Sequence, residues 1–435
     1  MSKKQINVVW FRNDLRTEDN PALDAALKED LPVVGVYCFE PRLYANYFYG
    51  LKKTESFRAK FIIESVANLE KNLKGLNVGL CISTEDPTQA LQNINEDFDI
   101  QQVFFQNEWT QEERDVENKL KNDLPDIDFK AFYGQFLFHP DDVPYDDFSK
   151  IPEVFTQFRK KCEKQSEVRA TTGQPQPQEE SYYTSFDTPR PTLQALGLDE
   201  VKEDSRTAFP YQGGEDDAKA RLKYYFWETE KLKYYKKTRN GLLGKDYSSK
   251  FSPWLANGCI SPRTIYWEVK KFEKDVKKNQ DTYWLIFELI WRDYFKYVSL
   301  KHGNALFKIG GILHKDYDWH RSKAAFKEWT EGRTKDDFVN ANMIELAKTG
   351  FMSNRGRQNV ASYWSKILKQ DWRIGAAYFE ALLIDYDVHS NWGNWMYNSG
   401  VGNDPRDRKF NTQLQAERYD GNHKYRKTWL QDSLF

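Results

Sequence analysis

The sequence predicts an α/β domain built on a doubly wound parallel sheet, followed by a larger all-helical domain. Short apolar, β-rich runs alternate with helical patterns over residues 1–135, periodicity fades between 136 and 205, and from about residue 215 the pattern is helical with few strand signals. The expected strands are 6–11, 33–39, 78–82, 102–105 and 129–133. After the first, Asp19-Asn20-Pro21 supplies a capping side chain and a proline at a first-turn position, as helix starts require. The next helix places Phe57, Phe61, Ile62, Val66, Leu69 and Leu73 on one face and stops at Gly75. Residues 171–180 are poor in apolar side chains and rich in proline and glutamine, the composition of an exposed linker. Helical patterns then cover 216–237, 261–276, 282–300 and 357–368. The expected units are an α/β domain over 1–135, a connector over 136–205 and a helical domain over 206–435.

Composition excludes several classes. No apolar run approaches the roughly 20 residues of a membrane-spanning helix. Met1-Ser2-Lys3-Lys4 runs straight into a strand, leaving no room for a signal peptide, so a cytoplasmic chain is expected. Cys38, Cys81, Cys162 and Cys259 lie far apart with no C-x-x-C, which suits packed, reduced thiols rather than disulfides or a thiolate metal site. No G-x-G-x-x-G follows the first strand and no Walker-type loop occurs, which disfavours an ordinary dinucleotide site or a nucleotide triphosphatase. Residues 1–200 carry 23 basic against 35 acidic side chains, a net of −12, whereas residues 201–435 carry 41 against 30, a net of +11. A polyanion, if one binds, is therefore expected on the second half. Twelve of the 14 tryptophans lie there too.

Three clusters carry candidate chemistry. Asp246 to Arg263 includes Ser248, Ser249, Lys250, Phe251 and Ser252 just before a proline-initiated helix, where hydroxyl, amide and ammonium donors can face a phosphate; a Ser-rich helix cap would use the same residues. Gly350 to Asn359 packs Arg355, Arg357 and three side-chain amides, Asn354, Gln358 and Asn359, into ten residues. Leu383 to Tyr397 brings Asp385 and Asp387 together with Trp392, Trp395 and Tyr397. Two carboxylates so spaced suit an acid/base pair, a metal or arginine partners. With His389 alone nearby a metal is disfavoured, and pairing with Arg355 or Arg357 fits better.

Taken in order with Val8 to Arg16 and with Glu288-Leu289-Ile290-Trp291-Arg292-Asp293, these clusters resemble the photolyase/cryptochrome family over nearly the whole chain. Thr349 to Ser362, Asp385 to Val388, Ser390 to Trp395 and Gly400 to Arg406 look most like its DASH-type cryptochromes. The resemblance implies FAD in the helical domain, with Tyr235 and Ser248 to Ser252 over its phosphates and ribityl chain. Arg357 would lie against the isoalloxazine and pair with Asp385, Tyr386 and Asp387 would flank the ring, and Asn391 would sit at flavin N5. Trp395, Trp372 and Trp319 match the family's electron-transfer chain.

On the substrate side the resemblance assigns Glu288 and Trp291 to hydrogen bonding and stacking on a flipped-out cyclobutane pyrimidine dimer, and Arg239, Asn354, Arg355 and Gln415 to DNA contacts. Tyr397 stands where duplex-repairing members carry a second tryptophan, which favours single-stranded or looped DNA. Asn354 and Gln358 replace the histidines of (6-4)-type members. Glu108, in Gln106 to Glu113, matches the glutamate that binds a methenyltetrahydrofolate antenna. Lys335, Asp337 and Asn340 depart from the family's usual glycine, proline and aspartate and put the geometry near Trp329 in question. The expectation is a monomeric, metal-free, light-driven lyase; the alternative is a blue-light regulatory flavoprotein that binds nucleic acid without repair. The chain's end just after Leu430, with no long signalling tail, leans toward the first.

Overall fold

The computed structural model describes residues 3–179 and 188–431. The five expected strands form one parallel sheet from β1 (Lys4–Phe11), β2 (Val33–Cys38), β3 (Gly79–Ser83), β4 (Phe98–Gln106) and β5 (Asp128–Phe132), in the order β3-β2-β1-β4-β5. The chain winds outward from β1 to β3, then crosses back to β4 on the other side of β1. The winding direction therefore reverses between β1 and β4, and the crevice at their carboxyl ends is the ligand-binding position of such sheets. Asn20 caps the first helix, Pro21–Ala26, by accepting from the amides of Ala22 and Leu23. Ser56–Lys74 forms the second helix; Gly75 ends it with a right-handed backbone, and Asn77 supplies the left-handed turn.

The helical part departs from simple periodicity at two places. The pattern over 216–237 is not one helix: Glu215–Lys223 widens into a π-turn at Tyr224–Glu228, breaks at the left-handed Glu230, and resumes as the short helix Tyr235–Thr238. Tyr225 and Phe226, adjacent in the widened turn, are both fully buried. The helix Asn354–Ser362 likewise runs into a π-turn at Tyr363–Ile367. Pro262–Asp275 and Gln280–His302 match their expected positions.

The sheet is covered on both faces. Ile6, Val8, Trp10, Leu91 and Phe105 pack on one, while Val9, Phe11, Leu23 and the helix Ser56–Lys74 on the other continue without a break into the helical core around Trp254 and Trp364. Buried polar links fasten this junction. Arg16 donates to the carbonyls of Gly258 and Gly134, Asp19 pairs with Arg263 at 2.6 Å, and Asp293 accepts from the amides of Leu137 and Phe138. Gly258, at φ 69°, lies against the Asn13–Asp14 backbone so closely that a Cβ would collide with it. The stretch 171–179 is tethered rather than free, because Gly173 accepts from the Asp19 amide and Gln178 bonds the backbone of Val33 and Asn77; Glu180 lies outside the described residues. The cysteines are free, and all but Cys81 are buried.

Candidate functional site

The helical domain encloses a cavity of about 730 Å³ that opens to the surface and, at its inner end, adjoins a chamber of about 80 Å³. The cavity is lined by Tyr235, Ser248 to Ser252, Arg357, Asp385 and Asp387, and also by Arg239, Glu288, Trp291, Asn354, Arg355, Tyr397 and Gln415. The chamber adds Tyr386, Asn391 and Trp395. Of the expected site residues, Glu108, Trp372 and Trp319 lie outside both.

The Ser248 to Ser252 loop is shaped from behind by Arg221, which the sequence reading missed. Its guanidinium donates to the carbonyls of Lys245, Ser248 and Ser249 and to Asp246, so the loop carbonyls are consumed at its back. Lys250 takes a left-handed backbone (φ 64°), and its ammonium lies over the rings of Tyr247 at 3.3 Å and Phe351 at 4.6 Å. That ammonium is buried with no hydrogen-bond partner, and burial pulls its pKa well below the ordinary lysine value. An orphaned buried cation beside hydroxyls is the donor set a diphosphate needs.

Farther in, Arg357 pairs with Asp385 at 2.9 Å and donates from Nε to the Met352 carbonyl. Asp385 Oδ1 stays buried and unpartnered, an acceptor facing no protein donor. Asp387 caps the helix Val388–Ser399 through the Ser390 amide. Burial pushes its pKa up, but Lys296 at 3.1 Å and Arg292 at 3.8 Å outweigh this and hold it well below the usual carboxylate range. Asn391 donates one amide N–H to Ala376, which fixes its side chain in the chamber wall. Tyr386 borders the chamber, yet its hydroxyl accepts from Trp392 and its ring lies under Arg58, on the side of the α/β domain.

Trp395 forms the chamber's apolar wall and packs over Gly375, where any side chain would strike its ring. Its ring neighbours are Phe379 at 5.1 Å and Trp329 at 6.2 Å, and Trp329 in turn lies 4.9 Å from Trp364. Trp372 is fully buried beside Trp392, donating to the Ile309 carbonyl, and Trp319 is half-buried against Tyr317. The three expected tryptophans thus grade from chamber to core to partly exposed. The loop of departures before Asp337–Thr349 is intact: Asn340 accepts from the amide and hydroxyl of Thr334 and donates to its carbonyl, Asp336 rather than Asp337 caps the helix, and Trp329 remains fully buried.

At the mouth, Trp291 is backed by Phe155, stacked at 3.7 Å and 12°, while Tyr397 stands perpendicular to it at 6.1 Å. The Tyr397 hydroxyl is held by Arg408, itself bound to Asp404. Glu288 pairs with Arg239 at 2.9 Å; burial raises its pKa and Arg239 opposes the rise. Arg355 bonds Gln358 and Asn240 and lies over Tyr419.

Glu108 sits beyond the carboxyl end of β4, beside that of β1, in the crevice of the sheet. It is buried, and Asn13 and Gln106 both donate to the same oxygen, Oε1. Burial raises its pKa, with Arg12 and Lys296 opposing. The next residue, Trp109, is sandwiched between His389 (4.5 Å) and Phe136 (5.4 Å), so this loop is locked onto the helical domain. Among the described residues no cluster could hold a metal ion and no helix is long and apolar enough to cross a membrane.

Residues 7–180 match the DNA photolyase family model and residues 284–433 the FAD binding domain of DNA photolyase. The chain is 46% identical to the cryptochrome DASH of Danio rerio over 99% of its own length and 84% of that protein, and 45% identical to that of Synechocystis over 97% and 87%. The chain belongs to the photolyase/cryptochrome family, and is most like its DASH-type cryptochromes. The solved Synechocystis cryptochrome superposes with a TM-score of 0.94 at 44% identity, covering 99% of this chain and 89% of that one. A class III photolyase of Agrobacterium tumefaciens does so at 0.82 and 27%, covering 99% and 87%. The family places FAD with this domain, and the cavity's donor set fits it.

Proposed function

We propose that this chain is a light-dependent lyase that reverts cyclobutane pyrimidine dimers, acting preferentially on single-stranded or looped DNA. The observation that carries the reading is that one cavity holds both the Glu288–Trp291–Tyr397 mouth and Asp385, and adjoins the chamber lined by Asn391 and Trp395. When bound in its reduced form, FAD supplies the photochemistry, absorbing near-UV or blue light and lending the dimer one electron that returns after the ring splits. Arg357 and Asp385 would hold and orient the flavin, Lys250 and the serines would meet its diphosphate, and Asn391 would serve the ring from the chamber wall. Trp395, with Trp372 and Trp319 toward the surface, would relay electrons inward from an external reductant such as a thiol.

At the mouth, Trp291 offers one flat face to a dimer and Glu288 a carboxyl for its polar edge. Flipping a damaged base out of a duplex costs a few kcal/mol, and stacking on an aromatic returns ~1 to 3 kcal/mol per base. Tyr397, smaller than an indole and tied by its hydroxyl to Arg408, returns less of that cost, so duplex substrates are penalised. Arg239, Asn354, Arg355 and Gln415 surround the opening on the net-basic half, suited to a phosphate backbone. Glu108 is the ligand we assign to a folate antenna, and the protein acts as a monomer.

The test is illumination of the reduced protein with a thymine dimer in single-stranded and in duplex oligonucleotides. Fast reversal in the single strand and slow reversal in the duplex is expected; Glu288→Ala should impair both while retaining FAD, and Tyr397→Trp should narrow the gap. Equal repair of both forms by the unmodified protein refutes the pocket argument. No repair of either leaves a regulatory, nucleic-acid-binding flavoprotein as the reading.

A further inference from the structure

The helix Gln280–His302 carries an aromatic face that runs on past the edge of the cavity. Trp284, Phe287 and Trp291 recur three and four residues apart, which puts them on one side of the helix, and all three are partly exposed. Trp284 stacks on Phe287 at 4.4 Å and 23°. Phe155 joins Phe287, edge-on at 5.2 Å, to Trp291, stacked at 3.7 Å. Phe287 and Trp291 line the cavity and Trp284 does not, so the rings form a shelf that begins at the mouth and leads away from it.

A basic segment flanks the shelf. Residues 231–245 carry six basic and no acidic side chains. The segment is fixed to the start of the helix, because Asn279 donates to the Lys233 carbonyl and the Lys237 amide donates to Asp281 Oδ1. Lys236 lies over the Trp284 ring at 4.2 Å and Arg159 over Phe287 at 5.5 Å, so both rings beside the mouth have a cation at their face. Lys231, Lys233 and Arg239 are engaged by Asp246, Glu230 and Glu288. Lys236 and Lys237 meet no carboxylate among the described residues, and Lys236 reaches the Gln280 side-chain oxygen instead, at 2.9 Å. Flat rings beside cations without carboxylate partners suit an unpaired nucleic-acid strand, since the rings stack on any base and the ammonium groups meet the phosphates between them. In a duplex the bases are already stacked and paired, and the rings have nothing to receive.

We propose that this shelf binds the nucleotides flanking the dimer on a single strand, with bases laid on Phe287 and Trp284 and phosphates against Lys236 and Lys237. From Trp291 to Trp284 the helix rises ~10 Å at 1.5 Å per residue, which accommodates about two or three nucleotides at ~3.4 Å or more each. A base arriving over Trp284 displaces the Lys236 ammonium from the ring to the phosphate beside it. The proposal rests on the dimer reading of the mouth, and it adds a source of single-strand preference that is independent of Tyr397.

The test is fluorescence anisotropy of the flavin-loaded protein, in the dark, with single-stranded oligothymidylates that hold one thymine dimer and from no to several further nucleotides on either side. Affinity of the unmodified protein should rise over the first two or three nucleotides added on one side and then level off. Trp284→Ala should lose about 5- to 150-fold on the flanked strands, the worth of one base stack, and Trp284→Phe should recover most of it. Lys236→Gln combined with Lys237→Gln should lower the slope of log affinity against log salt by about 1.4, or ~0.7 per phosphate. The bare dimer dinucleotide, too short to reach the shelf, should bind all of these proteins alike. Should Trp284→Ala fail to hold flavin, the double lysine variant, altered only at surface amines, decides the matter. Affinity that ignores flank length, or a flank dependence and salt slope that survive both sets of variants, would overturn the shelf while the bare dimer still binds and the mouth reading stands. No binding of any dimer-containing strand by the unmodified protein would remove both.

Discussion

The Arg357–Asp385 pair is asymmetric, and that asymmetry decides what each truncation does. Asp385 has a side chain only 2% exposed, with Oδ1 already lacking a partner, whereas Arg357 is 24% exposed and keeps a second bond to the Met352 carbonyl. Arg357→Ala therefore strands a buried carboxylate, and breaking a buried pair from that side costs ~3 to 5 kcal/mol of stability. Asp385→Ala leaves an arginine that retains solvent and a carbonyl, so the fold should lose far less. What it removes is the acceptor that faces the chamber. A hydrogen bond to a charged group contributes ~1.5 to 3 kcal/mol, which lowers FAD affinity by roughly 10- to 150-fold. Asp385→Ala should accordingly purify folded but mostly free of flavin, read as the ratio of 450 nm to 280 nm absorbance, while Arg357→Ala should also melt earlier by circular dichroism. Normal flavin content in folded Asp385→Ala would refute the placement of the ring against this pair.

Trp395→Phe should retain FAD but slow or abolish its photoreduction by an external thiol, with repair by chemically reduced protein preserved; unchanged photoreduction would show that Trp395 is not the proximal donor. Glu108→Gln should abolish near-UV absorbance from a bound folate without lowering flavin content, and an antenna band that persists would place that ligand elsewhere. Glu345, on the helix Asp337–Thr349, is fully buried and accepts from the Tyr425 hydroxyl, so Glu345→Gln should change the pH dependence of the cofactor-free fold. The folded pKa of Glu345, about 7, lies above its unfolded value of roughly 4.3, so its contribution is fully present below the unfolded value and lost as pH rises through about 7. Relative to Glu345→Gln, the unmodified protein should weaken by up to ~3.5 kcal/mol between pH 4 and 8 in denaturant titrations, and a constant difference across that range would refute the burial argument.

Elements whose physics is local were readable before any coordinates. The five strands announce themselves by β-rich runs, and Asn20 and Pro21 mark a helix start by capping chemistry alone. The grouping of Ser248 to Ser252, Arg357, Asp385 and Glu288 in one cavity came from motif resemblance, since residues up to 137 positions apart have no local signal of their meeting. What was not readable was support. Arg221 behind the loop and Phe155 behind Trp291 act from 27 and 136 positions away, and Arg408 reaches Tyr397 from a loop 11 residues on; an arginine or phenylalanine looks the same in sequence whether it faces water or a neighbour. The π-turns at Tyr224–Glu228 and Tyr363–Ile367 escaped because one extra residue in a turn leaves no mark in the apolar period of the helix around it.

One helix, Gln280–His302, touches the mouth, the chamber's Asp387 and the Glu108 crevice, and its geometry makes those parts interdependent. Glu288 and Trp291 face the mouth, Arg292 and Lys296 neutralise Asp387, Asp293 holds the Leu137 and Phe138 amides of the connector, and Ser299 receives the Trp109 indole N–H beside Glu108. These positions span about three turns, or ~17 Å of rise at 1.5 Å per residue. A rigid helix cannot shift one without the others. Lys296 is the sharpest case, because its single ammonium sits at Asp387 in the flavin chamber and also opposes the rise that burial imposes on Glu108. Charge introduced at either end is therefore felt at the other through one buried cation, and the α/β domain is held to the helical domain by the same residues that set the electrostatics of the site.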